Sequence, residues 1–144
     1  MKILFLDIDG VANCSTTQQR HRGTIGIDPY MAFLIGKIVL DTDCKVVLSS
    51  SWRHWEDGRE EVERQIVPCL DITSKHDSRI RGEEIKMWLD KHPEVEKYAI
   101  VDDDSDMLEE QMPNFFKTSW EVGITKEIAE NITKHLTTPN PLKR

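Results

Sequence analysis

Apolar positions along the chain alternate between short continuous runs and stretches spaced like one face of a helix. Lys2–Leu6 is a compact apolar run and predicts a buried strand. Residues 10–27 are polar and irregular. Asp28-Pro29 is a helix start, an N-cap acceptor followed by proline at the first helical position. Met31, Leu34, Ile35, Ile38 and Val39 then recur at helical spacing. Lys45–Leu48 reads as a second strand running into Ser49-Ser50-Ser51, Glu56–Val67 as a charged helix, and Cys69–Ile72 as a short strand. A helix over Glu83–Lys91 places Ile85, Trp88 and Leu89 on one side, with Trp88 most simply in the core. Tyr98–Val101 is the fourth strand and leads into Asp102-Asp103-Asp104. Phe115-Phe116 opens another short strand, and Thr125 caps a last helix carrying Ile128, Ile132 and Leu136. Strands alternating with helices predict an α/β fold, a central parallel sheet between helical layers. No repeat or Gly/Pro/Ser-rich linker divides the chain, so one domain is expected over residues 1–137, with 138–144 as a frayed tail.

Composition narrows the class. With 144 residues, 31 % charged and 38 % hydrophobic, the chain suits an ordinary globular domain that needs no disulfide or structural metal. The longest apolar runs are only a few residues, such as Ile3-Leu4-Phe5-Leu6, far short of the ~20 residues of a membrane span. Asp7 and Asp9 interrupt that run, which argues against a signal peptide. No membrane partner is expected. Cys14, Cys44 and Cys69 are odd in number and scattered, which predicts reduced thiols and a cytoplasmic protein. The net charge of −7 disfavours non-specific nucleic-acid binding. The acidity is concentrated after residue 82, however, while Arg20, Arg22, Arg53, Arg79 and Arg81 gather earlier and suit a local phosphate or strand end.

The candidate chemistry lies where strands end. Ligands of open parallel sheets bind beyond the carboxyl ends of the strands. Here those ends read Asp7-Ile8-Asp9-Gly10, Ser49-Ser50-Ser51-Trp52-Arg53 and Asp102-Asp103-Asp104-Ser105-Asp106. Carboxylates brought together on one edge repel, and a hard cation resolves the repulsion. Mg²⁺ favours a few carboxylates, water and a substrate phosphate. Asp7, Asp9, Asp102 and Asp103 are therefore the candidate metal residues, Asp103 more remote than Asp102. Phosphoryl transfer also requires a nucleophile, a proton donor and positive charge on the equatorial oxygens. Asp7 suits the nucleophile and Asp9 the general acid and base, with Gly10 permitting the tight turn. Ser49 and Ser50 are candidate phosphate donors, Ser49 being favoured among the three serines because it directly follows the apolar strand. Arg53 with Trp52 forms a candidate clamp for phosphate and base, against the plainer reading of a structural Trp beside a surface Arg. Arg81, in preference to Arg79 or Lys75, is the candidate balancing cation.

These motifs resemble those of the haloacid dehalogenase (HAD) superfamily. Leu4-Phe5-Leu6-Asp7-Ile8-Asp9-Gly10-Val11 is similar to its first motif, Val46-Val47-Leu48-Ser49 to the second, Arg81-Gly82 to the third, and Ile100-Val101-Asp102-Asp103 to the acidic fourth. Leu48-Ser49-Ser50-Ser51-Trp52-Arg53, Arg81-Gly82-Glu83-Glu84-Ile85 and Gly123-Ile124-Thr125 resemble the small HAD domains of RNA-repair proteins. More distantly they resemble the phosphatase half of polynucleotide kinase-phosphatases. The resemblance implies a three-layer Rossmann-like HAD fold with minimal or no cap, since residues 11–27 and 54–80 are too short for a large one. It further implies a Mg²⁺-dependent phosphate monoester hydrolase forming an aspartyl-phosphate on Asp7. A phosphorylated substrate, either a nucleic-acid end or a nucleotide, is the expected partner. A receiver domain needs its phosphoacceptor Asp at the end of a later strand, where this chain has Ser49. A non-catalytic phosphate-binding module and a small-molecule phosphatase are the other readings.

Overall fold

The structure, a computed structural model, describes residues 1–75 and 80–140. The first strand, β1 (Lys2–Leu6), sits at the centre of a five-stranded sheet. Its neighbours are β4 (Lys45–Leu48) and β6 (Lys97–Asp102), with β5 (Cys69–Ile72) beyond β4 and β7 (Phe115–Lys117) beyond β6. All four pairings are parallel, so the order is β5-β4-β1-β6-β7. The chain steps outward from β1 through β4 to β5, then returns to the other side of β1 for β6 and β7. This reversal makes the carboxyl ends of β1 and β6 the topological switch point of the sheet.

Strand alternation divides the core into two layers. Leu4, Leu6, Val46, Leu48, Ala99 and Val101 face helices α1 (Pro29–Thr42), α2 (Gly58–Gln65) and α4 (Lys126–Thr137). Ile3, Phe5, Val47 and Ile100 face the opposite way, toward Ile85 and Trp88 of α3 (Arg81–Asp90). A sheet buried on both faces explains why its central strands read as unbroken apolar runs rather than alternating ones. The result is the expected three-layer α/β arrangement. Among the described residues, no helix is long and apolar enough to cross a membrane. Cys14, Cys44 and Cys69 are buried and unpaired.

The helix starts show where local chemistry decides a boundary and where it does not. Asp28 caps α1 as its sequence indicates, its carboxylate accepting from the amides of Tyr30 at 2.8 Å and Met31 at 3.1 Å. Thr125 caps α4, accepting from Ile128 N at 3.1 Å. Helix α3 begins two residues before the expected Glu83, because a distant loop supplies its cap. Asp106 accepts from Arg81 N through Oδ2 at 3.0 Å and from Gly82 N through its carbonyl at 3.0 Å. Helix α2 is shorter than its charged sequence suggested and starts at Gly58, where a Cβ would lie 1.9 Å from the Trp52 carbonyl oxygen. The loop read as irregular holds a small antiparallel hairpin, β2 (Arg20–His21) with β3 (Thr24–Ile25). Two-residue strands are too short to show a period. At the far end of the described residues, Lys97 Nζ donates to the Thr138 carbonyl and Asn140 Nδ2 to that of Glu96.

Removing the α1 cap by Asp28→Ala leaves the Tyr30 and Met31 amides without their acceptor. The variant is expected to lose about 1 kcal/mol of stability, read as a lower urea midpoint at unchanged slope.

Candidate active site

The main-chain ladder runs one residue past the strands and carries the polar groups with it. Asp7 N donates to Val101 O at 3.2 Å, Ser49 N to Leu6 O at 3.0 Å, Thr73 N to Leu48 O at 3.1 Å and Thr118 N to Asp102 O at 3.0 Å. Thr73, Ser49, Asp7 and Thr118 therefore stand in a row along the carboxyl edge, each held by backbone rather than by a loop. Next to Asp7, the end of β6 supplies Asp102 and Asp103. One carboxylate oxygen from each of Asp7, Asp102 and Asp103 lies within 4.8 Å of the others.

Close carboxylates need a positive neighbour, and the protein supplies one. Arg81, at the first position of α3, places Nη1 2.9 Å from Asp102 Oδ2 and 3.5 Å from Asp7 Oδ1. One guanidinium does not neutralise the group. Burial first, and the adjacent Asp102 carboxylate second, hold Asp7 well above the usual carboxylate range. Burial likewise pushes Asp102 up to about 6, against the lowering influence of Arg81. Three carboxylate oxygens this close, two of them on buried residues, are of a kind that can hold a hard divalent cation such as Mg²⁺.

Gly10 decides how closely the turn after β1 approaches this cluster. Its φ is +83°, and a Cβ there would fall 2.1 Å from Asp103 Oδ2. A side chain at this position would displace the Asp103 carboxylate. The turn is closed by Val11 N and Ala12 N donating to Ile8 O at 3.0 and 2.8 Å, and by Thr118 Oγ1 donating to Gly10 O at 2.6 Å.

Several candidate residues occupy places other than those expected. Asp9, counted among the metal residues, lies outside the three-carboxylate cluster. Its Oδ1 accepts from Asn13 Nδ2 at 3.0 Å, and its two oxygens share the Trp52 indole N–H at 3.2 and 3.3 Å. Arg53 is not a substrate clamp. Its side chain is 3 % exposed, and it donates to the carbonyls of Ser49, Ser50 and Thr73 at 2.7, 2.8 and 3.0 Å and to Glu84 Oε1 at 2.9 Å. Trp52 is fully buried and presents no face to a base. Ser50 uses its hydroxyl as a cap, accepting from Trp52 N at 3.2 Å at the start of the 3₁₀ turn Ser51–His54. Ser49 Oγ is buried without a hydrogen-bond partner, as is Thr73 Oγ1 on the next strand. Buried hydroxyls are normally satisfied, so these two are the donors the edge can offer to a phosphoryl oxygen. Lys75 is exposed, and Arg79 lies outside the described residues. Asp106 caps α3 rather than joining the cluster.

Thr73, Asn13 and Glu84 were not foreseen. Thr73 had a signal, following an apolar strand as Ser49 does. Asn13 had a weaker one, four residues beyond Asp9. Glu84 had none, because its role is to bridge two arginines: Oε1 lies 2.9 Å from Arg53 Nη2 and 3.6 Å from Arg81 Nε.

A parallel sheet reversing beside its first strand, with acids ending β1 and β6, a hydroxyl ending β4 and an arginine opening α3, defines a HAD-type domain. The comparison with protein families is in accord. Residues 3–129 match the family described as the HAD domain in Swiss Army Knife RNA repair proteins, and the chain belongs to that family. Neither a curated protein nor a solved structure matches the chain.

Glu84→Ala would leave the buried Arg53 and the adjacent Arg81 facing each other without their shared carboxylate. Arg53 keeps three carbonyl acceptors, so the loss is expected at the low end for a broken buried pair, about 3 kcal/mol in urea unfolding.

Proposed function

We propose that the protein is a Mg²⁺-dependent phosphate monoester hydrolase that works through an aspartyl-phosphate on Asp7 and acts on nucleic-acid ends. The observation that carries the reading is the buried Asp7 at the switch point, flanked by Asp102, Asp103 and Arg81. Asp7, Asp102 and Asp103 would hold the metal. When bound, it would shield the approach of Asp7 to an anionic phosphate and offset charge on the phosphoryl oxygens.

The remaining steps belong to the chain's own groups. Arg81, together with the free hydroxyls of Ser49 and Thr73, would bind phosphoryl oxygens and align phosphorus with Asp7. A carboxylate oxygen of Asp7 attacks phosphorus, the bond to the ester oxygen breaks, and Asp9 gives its proton to the departing alcohol. Asp9, now ionised, takes a proton from water as that water attacks phosphorus. The acyl-phosphate P–O bond breaks, releasing inorganic phosphate and restoring both aspartates. Burial of Asp7 keeps bulk water from the nucleophile before substrate arrives.

Two features favour a bulky substrate over a small metabolite. The loop after β1 carries only the β2–β3 hairpin, and the segment after β4 only a 3₁₀ turn, the eight-residue α2 and β5 among its described residues. Neither is large enough to enclose a substrate. The family occurs in RNA repair proteins, where phosphorylated strand ends are the natural esters. The three buried, unpaired cysteines suit a reducing compartment and the cytoplasmic reading.

The test is phosphate release from 3′- and 5′-phosphorylated RNA and DNA oligonucleotides, mononucleotides and an aryl phosphate, with Mg²⁺ or with chelator. Release is expected to require the metal, to vanish in Asp7→Asn, and to fall about 10²- to 10⁴-fold in Asp9→Asn on oligonucleotides. Metal-dependent release that survives in Asp7→Asn would refute the covalent mechanism. Preference for mononucleotides over both kinds of end would refute the substrate assignment.

A further inference from the structure

The general acid of this site is anchored by a residue from a different strand end. Asp9 follows β1, whereas Trp52 belongs to the 3₁₀ turn Ser51–His54 that follows β4, 43 positions later. The indole is fully buried. Its backbone is fixed at both ends, the amide donating to Ser50 Oγ at 3.2 Å and the carbonyl accepting from Trp55 N at 3.1 Å. The ring lies nearly parallel to Trp55 at 4.8 Å and to His21 of the hairpin at 5.4 Å. With so little freedom, the indole N–H points in one direction, and Asp9 is there.

The second donor is equally constrained. The Asn13 side-chain oxygen accepts from Gly10 N at 2.9 Å, and its amide nitrogen donates to Gly26 O at 2.8 Å and Asp9 Oδ1 at 3.0 Å. A flipped amide would set its oxygen against two acceptors and its NH₂ against a donor, so the orientation is determined. Asp9 is thus held by two donors, Asn13 Nδ2 on Oδ1 and the indole N–H shared between Oδ1 and Oδ2 at 3.2 and 3.3 Å.

We propose that Trp52 is a positioning residue: its indole N–H fixes the orientation in which the Asp9 carboxyl meets the leaving group. The inference rests on the phosphatase reading above and adds to it the device that aims its acid. The turn that begins beside Ser49 thereby also orients the proton donor, coupling the two strand ends through one ring.

Proton delivery matters in proportion to the basicity of the leaving group. An alkyl ester such as a nucleotide ribose phosphate needs the acid, whereas a nitrophenolate leaves without it. Trp52→Phe keeps a smaller aromatic ring in the stack and removes the donor. It is expected to lower kcat about tenfold or more on a phosphorylated oligonucleotide, with KM changed less than about twofold. On nitrophenyl phosphate the loss should stay within about threefold. An equal loss on both substrates, or a loss confined to KM, would overturn the positioning role while leaving the phosphatase intact. A wild-type protein that turns over neither substrate would bring down both. A second measurement does not depend on how well that variant folds or turns over. In ¹H–¹⁵N spectra of the protein, Asp9→Ala should move the Trp52 indole resonance and speed its solvent exchange. An unchanged indole signal would exclude the anchoring bond.

Discussion

A chain of opposite charges runs beneath the catalytic edge and ties together the strand ends that carry the nucleophile, the free hydroxyls and Asp102. Arg53 gathers the carbonyls of Ser49, Ser50 and Thr73; Glu84 joins Arg53 to Arg81; Arg81 meets Asp7 and Asp102. Buried ions are costly to desolvate, and such a chain persists only when each member has partners on more than one side. Here each link ties a different element: the turn after β4, helix α3, and the ends of β1 and β6. The cation facing the carboxylates is therefore backed by protein on its other side. That arrangement explains why an arginine, with its planar set of donors, stands at this position.

The sheet supplies the second constraint. Extending the ladder one residue past β1, β4, β5 and β7 puts nucleophile and hydroxyls on main chain whose amides are already bonded. Loops can then differ in length without moving the reacting atoms. Proton transfer is the exception, since Asp9 sits beyond the ladder in the turn after β1. Its orientation is supplied from outside by Asn13 and Trp52. Rigid nucleophile and separately aimed acid divide the site into two mechanical parts.

Much of this was legible in the residues. The buried strands announce themselves because a sheet covered on both faces demands continuous apolar runs, and α1 and α4 carry their caps locally in Asp28 and Thr125. The start of α3 was misplaced because its cap, Asp106, lies 25 residues downstream, where no local rule reaches. In the site, spacing identified Asp7, Asp102 and Asp103 as neighbours, since strand ends bring them there. Arg53 was misread because an arginine beside a tryptophan after a serine run looks the same from sequence whether its donors face a ligand or carbonyls. Only the fold reveals Glu84 behind it. Asp9 was grouped with the acids by proximity in sequence, although two donors turn its carboxylate elsewhere.

The Asp106 cap on α3 has a consequence for how the site comes apart. The segment that leaves β6 at Asp102 begins with Asp103 and ends with Asp106 holding the first amides of α3, from which Arg81 projects. Opening this segment would unfasten the helix start and the guanidinium in the same event, so excess negative charge is not exposed while its counter-ion remains in place. Acid and base on this edge form one cooperative unit of local unfolding. Partial states that retain the carboxylates but lose the arginine are thereby kept scarce.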